Sequence, residues 1–146
     1  MDISSYLVKE HRECDDFFAK AEEAAAKGDF AKTKEEFLKF ADETLLHFKK
    51  EEEKLFPAFE QMSGSSDGPT MVMRYEHEQV RGLMGKLAQA IEAEDKDAYL
   101  SLAESMMILL QQHNMKEEQM LYAMCDRVFD PAKKEELIKK MEEVKD

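Results

Sequence analysis

The chain has 146 residues, enough for one domain that buries a single core without covalent staples. Its charge of −12, from 33 acidic against 21 basic residues, argues against a nucleic-acid-binding or anionic-membrane-binding surface. Two distant cysteines exclude a disulfide framework, and with no basic leader and no apolar run of membrane-spanning length, a cytoplasmic protein is the expectation.

Five glycines and three prolines leave long stretches unbroken, and no alternating β-branched run is present, so the chain reads as nearly all helix. The first helix begins near Asp2 to Ser5, whose side chains suit an N-cap, and ends at Lys27 before Gly28. Its stripe of Leu7, His11, Cys14, Phe18, Ala21 and Ala25 turns His11 inward. The second helix runs from Asp29 or Phe30 to about Gln61, with Phe37, Phe40, Ala41, Thr44, Phe48, Leu55 and Phe59 on an inner arc. Pro57 removes one backbone donor and predicts a kink in the last turns.

Residues 62–69, MSGSSDGP, form the one true loop. A third helix spans Thr70 to Ala93, with Met73, His77, Val80, Met84, Leu87 and Ile91 on one face. The fourth covers Lys96 to Arg127 and buries Tyr99, Met106, Leu109, Leu110, His113, Glu117, Met120 and Met124. Asp130 and Pro131 then read as N-cap and first residue of a short fifth helix to about Glu143, packed across the bundle end.

The histidines carry the chemistry. HFKKEEEKLF, His47 to Phe56, returns 66 residues later as HNMKEEQMLY, His113 to Tyr122. His11 and His77 are also 66 apart, and each follows a glutamate, Glu10 and Glu76. Within each half, 36 residues separate the first histidine from the second (47 − 11 and 113 − 77). One inward histidine is usually a packing residue. Four that obey both spacings are better read as ligands of a symmetric site. On a helix, His47 and Glu51 lie about 40° apart and one turn along, so both reach one point; His113 and Glu117 repeat this. Residue 29, midway between His11 and His47, falls at one turn, and residue 95, midway between His77 and His113, at the other, so each pair should face across an antiparallel hairpin.

Two hairpins make an up-down-up-down four-helix bundle over about residues 3–128, with an accessory helix over 131–144, all in one domain, 1–146. Charged carboxylates are costly to bury, and a metal pair would keep Glu51 and Glu117 ionised inside. Imidazole with carboxylate suits iron, manganese or zinc. The Glu-x-x-His signature of ferritin-like sites is absent, as is a zincin motif. Cys14 and the methionines read first as packing, and Arg81 as a residue at the bundle edge or paired with a spare carboxylate.

Glu10-His11, HFKKEEEKLFP (His47 to Pro57), Glu76-His77 and HNMKEEQMLY together resemble the four motifs of the hemerythrin HHE cation-binding family. The resemblance implies a non-haem di-iron centre with an oxide or hydroxide bridge, terminal ligands His11, His47, His77 and His113, and bridging Glu51 and Glu117. Oxygen-carrying hemerythrins add a fifth histidine four residues from the third-helix one, where this chain has Met73 and Arg81. They also place the last carboxylate five residues after the fourth-helix histidine, here Glu118. Symmetry favours Glu117, with Glu118 and its repeat mate Glu52 as supporting or substitute ligands. Two imidazoles, one oxygen from each bridging carboxylate and a shared oxide give each iron five ligands and one open position. The implied function is binding of O2 or NO for storage, delivery or sensing; the alternative is a redox enzyme or iron donor acting on NO or peroxide, or in iron-sulfur cluster repair.

Overall fold

Asp2 opens α1 (Ile3–Ala26) by accepting the Ser5 amide hydrogen at 2.7 Å, and Asp29 opens α2 (Phe30–Lys50) by accepting that of Lys32 at 3.0 Å. Such caps satisfy amides that the helix cannot. Through a π turn, Glu51–Leu55, α2 continues into α3 (Phe56–Ser63). The chain returns as α4 (Pro69–Glu92), and Asp95 opens α5 (Lys96–Lys116) with the Ala98 amide at 3.1 Å. A second π turn, Glu117–Leu121, leads into α6 (Tyr122–Val128). Asp130 then caps α7 (Pro131–Glu142) through the Lys133 amide at 2.8 Å. The computed structural model describes residues 1–145, and no strand occurs among them.

The ring of neighbours is α1, α2, α4, α5 and back to α1, which makes an up-down-up-down four-helix bundle. Two apolar clusters fill it. One, built on Phe18, Phe37, Phe40, Leu87, Tyr99 and Met106, packs the end near the hairpin turns. The other gathers Leu7, Leu55, Phe59, Leu121 and Cys125. Leu137, Ile138 and Met141 of α7 close that second end. Asp126 of α6 pins the start of α1, accepting the Ile3 amide at 2.8 Å and the Ser4 hydroxyl at 2.7 Å. The polar centre lies between the two apolar layers. No described helix is long and apolar enough to cross a membrane.

Three expectations change. The loop shortens, because α3 runs to Ser63 and ends on Gly64 in the left-handed conformation, φ 74°. The irregularity expected at Pro57 begins earlier, at Glu51, and Ala123 occupies the equivalent place in the second half. Both halves form the π turn, so proline is not its cause. Met120, expected inside, is 57% exposed, and Met124 is only half-buried. The π turn closes its bonds at i→i+5, with the Tyr122 amide donating to the Glu117 carbonyl, and this extra residue swings Leu121, Tyr122 and Cys125 inward instead.

The hairpin turns carry one local conflict. Gly28 has φ 77°, and its repeat mate Glu94 has φ 51°, a region that costs a side-chain-bearing residue about 1–2 kcal/mol. Glycine relieves that strain but adds freedom to the unfolded chain, an opposing effect of about 0.4–1 kcal/mol. Glu94→Gly should therefore raise unfolding stability by about 0.5–1 kcal/mol in urea titration, whereas Gly28→Ala should lower it.

Candidate metal centre

Each π turn begins on the carboxylate that faces inward. Glu51 and Glu117 are fully buried, and the four histidines close round them from α1, α2, α4 and α5. The hairpins bring the imidazoles together as their spacing required. His11 and His47 have ring centroids 4.7 Å apart, and His77 and His113 4.9 Å.

Ligand atoms gather in two groups of four. His11, His47, Glu51 and Glu117 form one, and Glu51, His77, His113 and Glu117 the other, with the atoms of each group within 4.8 Å of one another. Both carboxylates belong to both groups, as a bridging pair would. His11 Nε2 lies 3.1 Å from Glu117 Oε1, and His113 Nε2 lies 3.2 Å from the same oxygen. Glu51 Oε2 is 3.4 Å from His47 Nε2, while its Oε1 is 3.2 Å from His77 Nε2.

Several of these atoms are near neighbours without hydrogen-bond geometry. Glu51 Oε1, Glu117 Oε2, His77 Nε2 and His113 Nε2 are all buried and unpartnered. Each such orphan costs about 1–3 kcal/mol, and four aimed at one centre fit a cation that would accept their lone pairs.

The outer ring nitrogens explain how the imidazoles are aimed. Nδ1 of His11 bonds Glu118 at 2.7 Å, that of His47 bonds Glu10 at 2.9 Å, that of His77 bonds Glu52 at 2.6 Å, and that of His113 bonds Glu76 at 2.8 Å. A proton held there by a carboxylate leaves Nε2 as the free donor atom and fixes the ring. Glu52 and Glu118 therefore lie behind the histidines and outside both groups, and Glu117 is the inward member of the Glu117-Glu118 pair. Glu10 and Glu76 supply the remaining two partners. Only their 66-residue spacing marked them in the sequence.

Cations sit behind these carboxylates. Lys50 and Lys116, again 66 apart, bond Glu10 and Glu76. Arg81 reaches Glu52 at 2.9 Å, and Arg12 reaches Glu118 at 3.3 Å. Arg81 thus pairs with a carboxylate at the edge of the site.

Protonation in the metal-free protein obeys the same contacts. Burial alone pulls His47, His77 and His113 down, but the surrounding carboxylates outweigh it. His47 is held well above its ordinary value by Glu51, Glu10 and Glu117, and His77 is raised to about 10 by Glu117, Glu51 and Glu52. Burial pushes Glu52 up, yet His77 and Arg81 bring it to about 2. Burial likewise opposes the ionised form of Glu117, which His113, His11 and His47 hold well below the carboxylate range.

One member of the centre is invisible to the spacing argument. The Tyr122 hydroxyl contacts His11, His47, Glu51 and Glu117. The corresponding residue of the first half is Phe56, so the repeat offers no polar counterpart that would draw attention to it.

A family model described as the hemerythrin HHE cation binding domain matches residues 2–125. No curated protein and no solved structure gives a significant match.

Because Glu52 is depressed and His77 raised, their pairing stabilises the metal-free fold only while one is ionised and the other protonated. The gap in melting temperature between wild type and Glu52→Gln, measured with chelator, should be widest between about pH 4.5 and 6.5. It should close as pH falls towards 2, where Glu52 gains its proton, and as pH rises towards 10, where His77 loses one.

Proposed function

The chain belongs to the hemerythrin HHE cation-binding family, and on that premise we propose that it holds two iron ions and takes up O2 or NO at them, for storage, delivery or sensing. The observation that supports this most directly is the sharing of Glu51 and Glu117 between two complete His2Glu2 groups. Mixed imidazole and carboxylate donors suit iron, and two shared carboxylates suit a pair of ions. When bound, the ions would supply redox-active centres with coordination left over for a small exogenous ligand.

The protein's own part is to hold, aim and seclude. His11 and His47 would serve one ion and His77 and His113 the other, with their outer glutamates fixing each ring. Phe48 stacks on His77 at 3.7 Å between centroids, and the Arg81 guanidinium lies 5.5 Å from the centroid of the same phenyl. This layering keeps water from the His77 face. Beside His11 and His47 is a cavity of about 10 Å³, lined also by Cys14, Phe40, Thr44 and Leu110. That is about the space of a single water.

A second reading, a redox enzyme or iron donor working on NO or peroxide, is supported by the ligand count. Met73 and Arg81 leave α4 with one histidine, and Arg81 is engaged by Glu52 and Glu78, so neither place offers a further ligand. Ions held by fewer protein ligands are easier to oxidise irreversibly or to release.

Anaerobically loaded ferrous protein should contain two irons per chain and, on exposure to O2, develop a charge-transfer band that vacuum removes. Immediate irreversible oxidation would transfer the assignment to the second reading, particularly if peroxide turnover then exceeds that of His113→Ala. Metal should also stabilise the fold, by about 4 kcal/mol at a free concentration a thousandfold above its dissociation constant. Identical melting curves with and without iron would remove both readings.

A further inference from the structure

We propose that Tyr122 is a fifth protein ligand for one ion only, the one held by His11 and His47. This rests on the two-ion reading above. The Tyr122 hydroxyl lies 2.5 Å from Glu51 Oε2, 3.0 Å from Glu117 Oε1, 3.2 Å from His11 Nε2 and 3.3 Å from His47 Nε2. Those four atoms are the donors of one group, and the hydroxyl is close to all of them.

Coordination geometry accounts for such an arrangement. Metal–ligand bonds of about 2.1 Å place adjacent donors about 3.0 Å apart and opposite donors about 4.2 Å apart. His11 Nε2 to Glu117 Oε1 is 3.1 Å and His47 Nε2 to Glu51 Oε2 is 3.4 Å, as for adjacent donors. His47 Nε2 to Glu117 Oε1 is 4.0 Å, as for opposite ones. An oxygen in contact with all four is placed where it could serve as a fifth donor to an ion held between them. A phenol that served only as a hydrogen-bond donor would need one of these contacts.

The other group lacks this oxygen. Phe56, 66 residues before Tyr122, has its ring 5.6 Å from that of His77 and carries no donor. Both unpartnered imidazole nitrogens, His77 Nε2 and His113 Nε2, belong to the His77 and His113 group. Their counterparts in the His11 and His47 group both touch the phenol. Tyr122 is also held in place: it is fully buried, directly succeeds the second π turn, and stacks on His11 at 5.6 Å and 29°.

Ligation breaks the phenolic O–H bond, now directed at Glu51, and forms a metal–oxygen bond from the same electron pair. The proton leaves to solvent, and no oxidant or reductant is consumed. The two ions become inequivalent: with an oxide bridge the His11 and His47 ion is filled by its fifth protein ligand, and the open position stays with the His77 and His113 ion.

Resonance Raman spectroscopy of the ferric two-iron protein tests this directly. The expected result is a visible charge-transfer band with tyrosinate ring modes that shift when the chain is grown on ring-deuterated tyrosine. Tyr122→Phe should abolish these modes while retaining two irons per chain, and Tyr6→Phe should leave them intact. A wild-type protein that holds two irons without tyrosinate modes overturns the assignment of Tyr122 and leaves the di-iron reading standing. A protein that takes up no iron overturns both. If Tyr122→Phe fails to fold, the isotope shift in the wild-type chain decides alone.

Discussion

Two fully buried carboxylates, Glu51 and Glu117, set the terms for everything around them. An ionised carboxylate without compensation is among the most costly groups to remove from water. The fold answers in layers of alternating character. Four imidazoles surround the pair, a glutamate holds the outer nitrogen of each imidazole, and Lys50, Lys116, Arg81 and Arg12 neutralise those glutamates. The four outer carboxylates and four outer cations cancel, so with neutral imidazoles the inner pair retains its own two negative charges. Bound cations would meet that residual charge, whereas in their absence the carboxylates hold protons on His47 and His77.

The π turns arise from the same demand. A helix that points a histidine and the glutamate four residues later at one centre must then resume its apolar stripe against the second core cluster. Widening the turn by one residue at Glu51 and Glu117 shifts the phase of the next helical segment, α3 in one half and α6 in the other. Leu55 and Phe56 in the first half, and Leu121 and Tyr122 in the second, become fully or almost fully buried. The recurrence with proline in only one half points to the site, and not the local sequence, as the origin of the irregularity. Rare helix geometry at a functional centre is the usual place for it.

Much of this is legible in the sequence. The intervals of 66 and 36 residues locate the hairpin turns, pair the histidines across them and put Glu51 and Glu117 inside, because heights along antiparallel helices depend only on counting. Direction round a helix is a different matter: it accumulates error wherever the residues per turn depart from 3.6. That is why periodicity misplaces Met120 and overlooks Tyr122, both lying within or just beyond a π turn that no local propensity announces. The outer glutamates are half visible. Glu10 and Glu76 keep the spacing, but nothing in one sequence states which ring nitrogen a carboxylate will meet.

Symmetry and its failures divide the labour in the bundle. The features that repeat at 66 residues are those any ion pair in this scaffold needs: the imidazoles, the shared carboxylates, Glu10 with Glu76, Glu52 with Glu118, and Lys50 with Lys116. The features that do not repeat distinguish the two halves. Arg81 and Phe48 are layered over His77, whereas Asn114 replaces Phe48 in the other half and the small cavity lies beside His11 and His47. Tyr122 offers an oxygen where Phe56 offers only a ring stacked on His77. A duplicated hairpin alone would give two equivalent positions. Any difference between them in openness or redox behaviour has to come from positions where the halves differ, and those beside the histidines act most directly on one ion position and least on the other.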